Sequence, residues 1–519
     1  MMKMAMACST IGLICSLNSH AATTLMASGH AGIVGQYSLH TLPDDVIYSS
    51  FRVPVGLLLQ ASPSDKLSLY LGLEYAYNNY PESPVLLGNT SSQNNSNGTQ
   101  TALPFASAVE ETTPYGQKTD TPVLSQAYFA YQTNVGLVQA GRMPRDWGLG
   151  MWLNDRWTPY GGTISTSDAV ALINTFQKFD VSLYLEKYGE GAATSKKDDA
   201  NAYTLEARLH TDPSDVPSSG ISREVGVLFS KFEHDISNTK MNILDVYTKL
   251  YFNRFYMSGE VLYPTGSTQS PDYQTLGGAS ACEVTMTDVE EGSQTCVSQD
   301  LSALAALVQM KWQVGGAESA SVASTEHAQL LLPTAERLGS HTLGLWAGYA
   351  SGGSNQFEEA DAVSSDNTIT AIQMNPNIQP SFLMFNNTMP PVNGMPMGSI
   401  TNTTFVRVDY TFENPSFGLL SPVLVWGVLN ETNKSYNGSN GLCTEGASAD
   451  ANSAVNHLCV GGSRNLGVEL DLAYRYTTLD RVTIGTDIGY WFVGSAWQEY
   501  GESKPQGVLG MRVSLGTEF

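Results

Sequence analysis

The sequence predicts an all-β protein, a transmembrane antiparallel β-barrel of about eighteen strands with long extracellular loops. Three observations lead to this fold class. Charged residues make up only 14% of the 519 residues, whereas soluble globular proteins contain roughly 25%. The chain begins with a stretch typical of an export signal, and no later run of about 18 apolar residues could form a membrane-spanning helix. Many segments alternate apolar and polar residues, so a chain embedded in a membrane would have to close into a barrel.

The composition excludes several other classes of protein. Hydrophobic residues make up 42% of the chain and aromatic residues 10%, which supplies enough apolar surface to exclude a disordered protein. The formal net charge is −23, whereas a nucleic-acid-binding protein needs a basic surface. The chain shows neither a collagen period nor a coiled-coil period.

We expect residues 1–21 to be a signal peptide and residues 22–519 to form a single transmembrane β-barrel domain. Lys3 precedes an apolar stretch, and the small residues Ser19 and Ala21 suit a signal-peptidase site. The apolar stretch is too short to serve as a membrane anchor. The protein is therefore predicted to be exported into the periplasm.

The strand signal is clearest near the C-terminus. Between residues 466 and 476 every even-numbered residue is Leu, Val or Tyr, while the odd-numbered positions include Glu469, Asp471 and Arg475. Residues 482–492 show the same alternation. A strand of this kind has one apolar and one polar face, and in an outer-membrane barrel the apolar face contacts lipid.

The chain ends on Phe519, and a final strand with an aromatic last residue resembles the assembly signal of Gram-negative outer-membrane proteins. With this end in the periplasm, the connections mostly alternate between short turns and long outer loops. Residues 316–337 would form a long periplasmic connection and residues 236–241 a short outer one, so sixteen strands remain an alternative. An even number suits a bacterial barrel, and the eighteen predicted strands span about 31–40, 46–60, 67–80, 123–132, 135–143, 168–178, 180–190, 201–211, 223–235, 242–253, 254–266, 301–315, 338–352, 402–412, 416–432, 465–477, 480–494 and 504–519.

The four cysteines after the signal peptide predict two disulfide bonds. Cys282 and Cys296 lie in one predicted outer loop, and Cys443 and Cys459 lie in another. Exported proteins pass through an oxidising compartment, where disulfides form. Because the two cysteines of each pair lie in the same loop, pairing within each loop is favoured over pairing between loops. Each bond would stabilise its loop by roughly 3 kcal/mol in the chain-entropy model.

The sequence contains no enzyme motif. We expect neither a cofactor nor a metal site. The chain lacks a Gly-x-Ser-x-Gly elbow, a P-loop and a His-Glu-x-x-His zinc helix. A hydrolase site on the barrel rim would need no local motif, so an enzyme stays open as a third class.

Charged residues on the polar faces of the strands are candidates for the wall of a lumen. They would form a ladder of interior salt bridges and the lining of a water-filled pore with a mild preference for cations, and we expect both descriptions to hold in part. Eight are acidic and five are basic: Glu186, Glu206, Arg208, Asp245, Lys249, Glu260, Arg407, Asp409, Glu469, Asp471, Arg475, Asp487 and Arg512.

The densest group of unusual residues follows the predicted strand at 135–143. Three of the eight Trp and three Arg lie within residues 142–157. One hypothesis is an aromatic girdle with a structured loop. The other is a loop folded into the pore, in which the tryptophan faces would guide sugar-like solutes. The candidate constriction residues are Arg142, Arg145, Asp146, Trp147, Trp152, Asp155, Arg156 and Trp157.

Two runs resemble known outer-membrane barrels. The run from Gly141 to Gly150 looks like a motif of large proteobacterial outer-membrane proteins. The run 466–471 with Tyr474, followed by 489–492, is similar to the closing hairpin of alginate-export-type barrels. The resemblance implies a monomeric barrel of about eighteen strands that passes solutes or polysaccharide, although the mixed lumen departs from the basic lumen that a polyanion would need.

These observations predict a porin-like channel of the Gram-negative outer membrane for passive or substrate-selective diffusion of small hydrophilic solutes, with saccharides among the candidates. The alternative is a surface-exposed structural or adhesion barrel with acidic, disulfide-bonded loops. The expected partners are outer-membrane lipid and lipopolysaccharide, the outer-membrane assembly machinery and the solutes themselves, with no nucleic acid.

Overall fold

The computed structural model describes the barrel wall and parts of the connections. The described residues are 24–41, 46–79, 123–155, 165–189, 200–211, 221–234, 238–252, 254–268, 282–284, 294–296, 298–315, 341–352, 368–370, 372, 374–375, 377–385, 400, 402–414, 417–430, 464–478, 482–497 and 507–518. The predicted signal peptide, Arg156, Trp157, Cys443, Cys459 and Phe519 lie outside them.

Eighteen long strands form one antiparallel sheet, which confirms the predicted fold class and excludes sixteen strands. Many of them, such as β10 and β16, coincide with segments in which apolar and polar residues alternate. They are β1 (Thr24–Thr41), β2 (Val46–Ser64), β3 (Leu67–Asn79), β4 (Val123–Thr133), β5 (Gly136–Pro144), β6 (Thr166–Phe176), β7 (Phe179–Gly189), β8 (Ala200–His210), β9 (Ile221–His234), β10 (Thr239–Phe252), β11 (Phe255–Thr268), β12 (Ala305–Gly315), β13 (His341–Ala350), β14 (Thr403–Asn414), β15 (Gly418–Leu429), β16 (Asn465–Thr477), β17 (Val482–Val493) and β18 (Gly507–Glu518).

The sheet closes on itself. β1 pairs with β2 on one edge and with β18 on the other, in a register that runs from His30 opposite Glu518 to Thr41 opposite Gly507. Closure leaves neither β1 nor β18 as a free edge, and it satisfies the backbone groups that an open edge would expose to lipid. A short strand, Gln299–Ser302, extends the pairing of β11 ahead of β12.

The wall has an apolar outer face and a largely polar inner face. On β10, Leu244 and Val246 are 42% and 37% exposed, whereas the alternating residues Ile243 and Asp245 are fully buried. The same alternation runs through β9, β11 and β18. Large apolar side chains that remain exposed in one contiguous belt are stable only against lipid.

The connections separate the two ends of the barrel. Turns 65–66, 134–135 and 177–178 lie at the end of the barrel where β1 begins and β18 ends, while β3 ends and β4 begins at the other end. β12 ends and β13 begins at the first of these two ends, and β9 ends and β10 begins at the other, as predicted. Both connections are therefore exceptions, within an eighteen-stranded barrel, to the pattern of short periplasmic turns and long outer loops.

No helix in the described part of the chain is long and apolar enough to cross a membrane.

One connection contains a two-stranded hairpin, Cys282–Val284 with Gln294–Cys296. It pairs the backbone of Cys282 directly opposite that of Cys296. Directly opposed residues of an antiparallel pair lie at a Cα separation that a disulfide can span, so the predicted bond between these cysteines is retained as a prediction.

Candidate functional site

The barrel interior is the candidate site. All thirteen charged residues that the sequence placed on a lumen wall lie on inward-facing positions, because their outward neighbours in each strand are the exposed apolar residues. The structure gathers them on two walls. One is formed by β7–β11 and carries Glu186, Glu206, Arg208, Asp245, Lys249 and Glu260. The other is formed by β14–β18 and carries Arg407, Asp409, Glu469, Asp471, Arg475, Asp487 and Arg512.

The residues 145–155, here called the tryptophan-rich segment, fold into the barrel against the first wall. Arg145 is 2% exposed, and its guanidinium donates to Glu186 at 2.7 Å and to Glu206 at 3.0 Å. It also lies over the ring of Tyr184, 3.4 Å from the centroid. A planar guanidinium suits such a site because it bonds two carboxylates while stacking on an aromatic ring.

Glu260 holds the middle of the tryptophan-rich segment. Its carboxylate accepts hydrogen bonds from the backbone N–H of Leu149 and, at 3.2 Å, from that of Met151. Gly148 has a φ of +61°, and a Cβ there would lie 2.6 Å from a carboxylate oxygen of Glu260. Glycine is therefore required at this turn both by its backbone conformation and by its contact with the wall.

Trp147 fixes the same segment through its side chain. It is fully buried and meets Tyr247 edge to face at 4.9 Å. The guanidinium of Arg208 lies over the Trp147 ring and donates to the backbone carbonyl of Asp146 at 3.1 Å. Tyr247 in turn donates its hydroxyl hydrogen bond to Glu224, which also pairs with Lys249.

A second segment folds inward against the other wall. The residues 377–385, here called the second inward segment, belong to a connection that the sequence predicted to lie wholly outside. The backbone N–H groups of Leu383 and Met384 donate to Glu469 at 2.5 and 2.6 Å, and that of Phe382 donates to Asp471 at 3.1 Å. The expectation of a purely outer loop is thus wrong for these residues, because buried carboxylates on β16 bind their backbone.

Asn375 joins the two inward segments: it precedes the second one in the same connection, and its carbonyl accepts from the backbone N–H of Ile378 at 2.9 Å. The backbone N–H of Asn375 donates to the carbonyl of Met151 at 2.8 Å, and its side-chain amide donates to the carbonyl of Trp152 at 3.0 Å. Described parts of two connections that are far apart in sequence therefore form one layer across the interior. This layer lies in contact with both charged walls.

Ion pairs complete the second wall. Asp487 accepts from Arg475 at 2.6 Å and from Arg512 at 2.8 Å. Arg407 donates to Asp409 at 2.9 Å and to the carbonyl of Pro380 in the second inward segment. The charges of both walls are thus largely used in ion pairs and in anchoring the backbone of the inward segments.

The structure corrects two parts of the predicted constriction. Arg142 lies on the outer face of β5, in register with Asp168 of β6, and pairs with it at 2.8 Å. It cannot line the lumen, because inward and outward positions alternate and its neighbour Met143 is the buried one. Trp147 and Trp152 are buried in the layer, so their faces do not line a path for solutes.

Of the other predicted constriction residues, Asp146 and Asp155 keep partial exposure within the tryptophan-rich segment. The sequence missed Glu224, Tyr247 and the second inward segment. A usable signal was the apolar run 382–385 in a connection otherwise rich in Asn, Pro and Met. In the described residues, no group of three or more His, Cys, Asp or Glu side chains is arranged to hold a metal ion.

The closed wall and its apolar exterior define the class of this protein: it is a transmembrane β-barrel of eighteen antiparallel strands. The location in the Gram-negative outer membrane stays a prediction from the sequence. No protein-family model matches the chain, and no curated protein matches it.

Among solved structures, the chain is similar to three barrels from two organisms. OccAB1 of Acinetobacter baumannii has a TM-score of 0.45 at 9% identity, over 95% of this chain and 96% of that chain. OccD3 (OpdP) of Pseudomonas aeruginosa has a TM-score of 0.43 at 10% identity, over 97% and 94%. OccK2 (OpdF) of the same organism, in complex with glucuronate, has a TM-score of 0.44 at 8% identity, over 95% and 98%. All three TM-scores are below 0.5, so the fold stands on the strand pairing of this chain.

Proposed function

We propose that this protein is an outer-membrane channel for the passive or substrate-selective diffusion of small hydrophilic solutes. The observation that carries the proposal is the interior of the barrel. An eighteen-stranded barrel is wide enough to hold water unless it is plugged, and the two inward segments narrow it. Side chains on the inner wall still reach solvent, since those of Arg208 and Glu224 are 36% and 34% exposed.

The proposal gives the two anchored segments a role as a constriction. Each is fixed by backbone N–H groups that donate to a buried carboxylate, Glu260 on one wall and Glu469 on the other. Anchoring through backbone leaves the position of the constriction independent of flexible side chains. The acidic excess of the walls favours cations over anions.

The test is the single-channel conductance of the refolded protein in a planar bilayer. We expect stable ohmic steps and a reversal potential that shows cation preference in a salt gradient. A matched comparison uses Arg142→Ala, which changes an outward-facing arginine and should leave conductance unchanged.

A correctly folded barrel that passes no current would contradict the channel. It would favour the predicted alternative, a surface-exposed structural or adhesion barrel. Contacts with lipopolysaccharide and with the assembly machinery, and the absence of an enzymatic role, remain predictions from the sequence.

A further inference from the structure

Charged side chains are unevenly distributed over the outer face of the barrel. Among the side chains of the eighteen strands that the structure describes, outward-facing Asp, Glu, Lys and Arg occur only on β5–β10. Arg223 lies at the end of the barrel where β1 begins. The others lie within three residues of the strand ends at the opposite side of the barrel, and we call them the charged rim: Arg142, Asp168, Lys187, Lys231, Glu233 and Lys240.

The first half of the charged rim is a carboxylate between two cations. Asp168 of β6 stands directly opposite Arg142 of β5 on one side and Lys187 of β7 on the other. The Arg142 guanidinium donates to both carboxylate oxygens of Asp168, at 2.8 and 3.0 Å. One carboxylate cannot neutralise two cations, so this group of three carries a net positive charge.

The second half of the rim repeats this arrangement. Glu233 of β9 pairs with Lys231 of its own strand at 2.7 Å and stands directly opposite Lys240 of β10. Asn201 of β8 stands opposite both Lys187 and Glu233, so it joins the two halves into one row. Directly opposed residues have Cβ atoms about 5 Å apart. The rim therefore presents more cations than carboxylates at one surface, within a chain whose formal net charge is −23.

The charged rim borders the belt of the wall that faces lipid. Two positions further along the same strands, toward the middle of the barrel, lie Val170, Leu185 and Phe229, which are 51%, 51% and 46% exposed. β6 and β7 have 11 residues each, and a tilted strand needs about 9–11 residues to cross the hydrocarbon layer. The ends of these strands that carry the rim therefore lie where the acyl chains end and the lipid headgroups begin.

The position and the charge of the rim together select its partner. A molecule that meets exposed apolar side chains and cations at this depth is a lipid with an anionic headgroup. Arginine and lysine bind phosphate through charge-assisted hydrogen bonds. A second copy of the chain is a poorer match, because the outward-facing carboxylates of its described strands belong to the same row: Asp168, Glu233 and, beyond Ser267, Asp300 of the short strand Gln299–Ser302.

We propose that the charged rim is a binding site for the phosphate groups of a lipid in the leaflet at this end of the barrel. In the predicted location of the protein this lipid is lipopolysaccharide, and the rim assigns residues to a contact that the sequence predicted only in general. The rim lies on the outer face of the wall. The inference is therefore independent of the channel function, and loss of the site should leave the conductance unchanged.

The test is native mass spectrometry of the refolded protein in detergent, titrated with lipid A and separately with lipid A whose phosphates have been removed. We expect the wild type to retain the phosphorylated lipid at concentrations where the dephosphorylated lipid is lost. Lys187→Gln combined with Lys240→Gln removes one cation from each half and keeps the ion pairs made by Arg142 and Lys231. The apparent affinity for lipid A should fall about thirtyfold in this glutamine variant.

Two further variants serve as controls. Arg223→Gln removes an outward-facing arginine at the other end of β9 and should leave the affinity for lipid A unchanged. Lys187→Arg combined with Lys240→Arg keeps both positive charges and should retain the affinity. A loss confined to the glutamine variant therefore reports the missing charge rather than a folding defect.

Three outcomes would overturn the inference. Equal retention of lipid A with and without its phosphates would show that the acyl chains alone determine binding. Equal affinities in the wild type and the glutamine variant, or an equal loss in Arg223→Gln, would move the phosphate site away from the charged rim. A dimer that forms without lipid and disappears in the glutamine variant would make a second copy of the chain the partner.

Discussion

Removing the carboxylate of Glu260 is the sharpest perturbation of the proposed constriction. Glu260 is 1% exposed and accepts backbone hydrogen bonds from Leu149 and Met151. Glu260→Ala would leave both N–H groups without their acceptor. We expect the tryptophan-rich segment to leave the first wall for part of the time.

The magnitude follows from two opposing effects. A hydrogen bond to a charged group contributes about 1.5–3 kcal/mol, so two such bonds hold the segment by about 3–6 kcal/mol. The substitution also removes a buried carboxylate that lies beside the fully buried Asp245, and burying charge is costly. The free energy that holds the tryptophan-rich segment against the wall should therefore fall by an amount at the lower end of this range, about 3 kcal/mol. This corresponds to roughly a hundredfold rise in the ratio of released to docked segment.

Two measurements check this result. In a planar bilayer, Glu260→Ala should show larger or more frequently fluctuating conductance than the wild type. In limited trypsin digestion, the bond after Arg145 should become accessible, since Arg145 is buried in the native segment. The matched control is Glu233→Ala, because Glu233 lies on the outward face of β9 and pairs only with exposed Lys231 among the ion pairs observed.

The reasoning would be refuted if Glu260→Ala kept both the wild-type conductance and the resistance to trypsin. In that case the burial of Trp147 and its neighbours, rather than the carboxylate, would hold the segment. A variant that lost its strand content altogether would show that Glu260 acts on the wall itself, and circular dichroism distinguishes this result from release of the segment.

Further predictions concern the second wall, the ion pairs and the cysteine hairpin. Glu469→Ala should release the second inward segment and raise conductance, whereas unchanged current would show that the segment does not narrow the path. Asp487→Ala leaves two arginines without their shared carboxylate and should destabilise the barrel by about 3–5 kcal/mol. Asp168→Ala, at the ion pair with Arg142 on the outer face of the wall, should destabilise the barrel less than Asp487→Ala does, and thermal unfolding that fails to rank the two in this order contradicts the assignment. Alkylation of the native protein followed by mass spectrometry should find Cys282 and Cys296 unmodified and joined, and free thiols there would exclude the predicted disulfide.

The sequence predicted the strands and their faces because alternation is a local property. In β16, for example, Glu469 and Asp471 could be assigned to the inner face from their apolar neighbours alone. Arg142 shares the outer face of β5 with Val138 and Ala140, but the apolar pattern of this strand is too weak to assign its faces from the sequence.

The site was harder to predict because its anchors join residues that are distant along the chain. Glu260 binds backbone 109 positions away at Met151, and Glu469 binds backbone 86 positions away at Leu383. No spacing rule relates a carboxylate on one strand to an N–H group in another connection. The inward course of both segments therefore had no local signature beyond glycines and short apolar runs.

What the sequence by itself determined is the class of structure: few charges, repeated two-residue periodicity and an even number of predicted strands specify a closed barrel with an apolar exterior. Only the tertiary structure decided which connections enter the barrel and which part of the inner wall stays accessible. The physical reason is that strand faces are set by neighbours in sequence, whereas the position of a connection is set by buried hydrogen bonds and ion pairs that form only after the wall has closed.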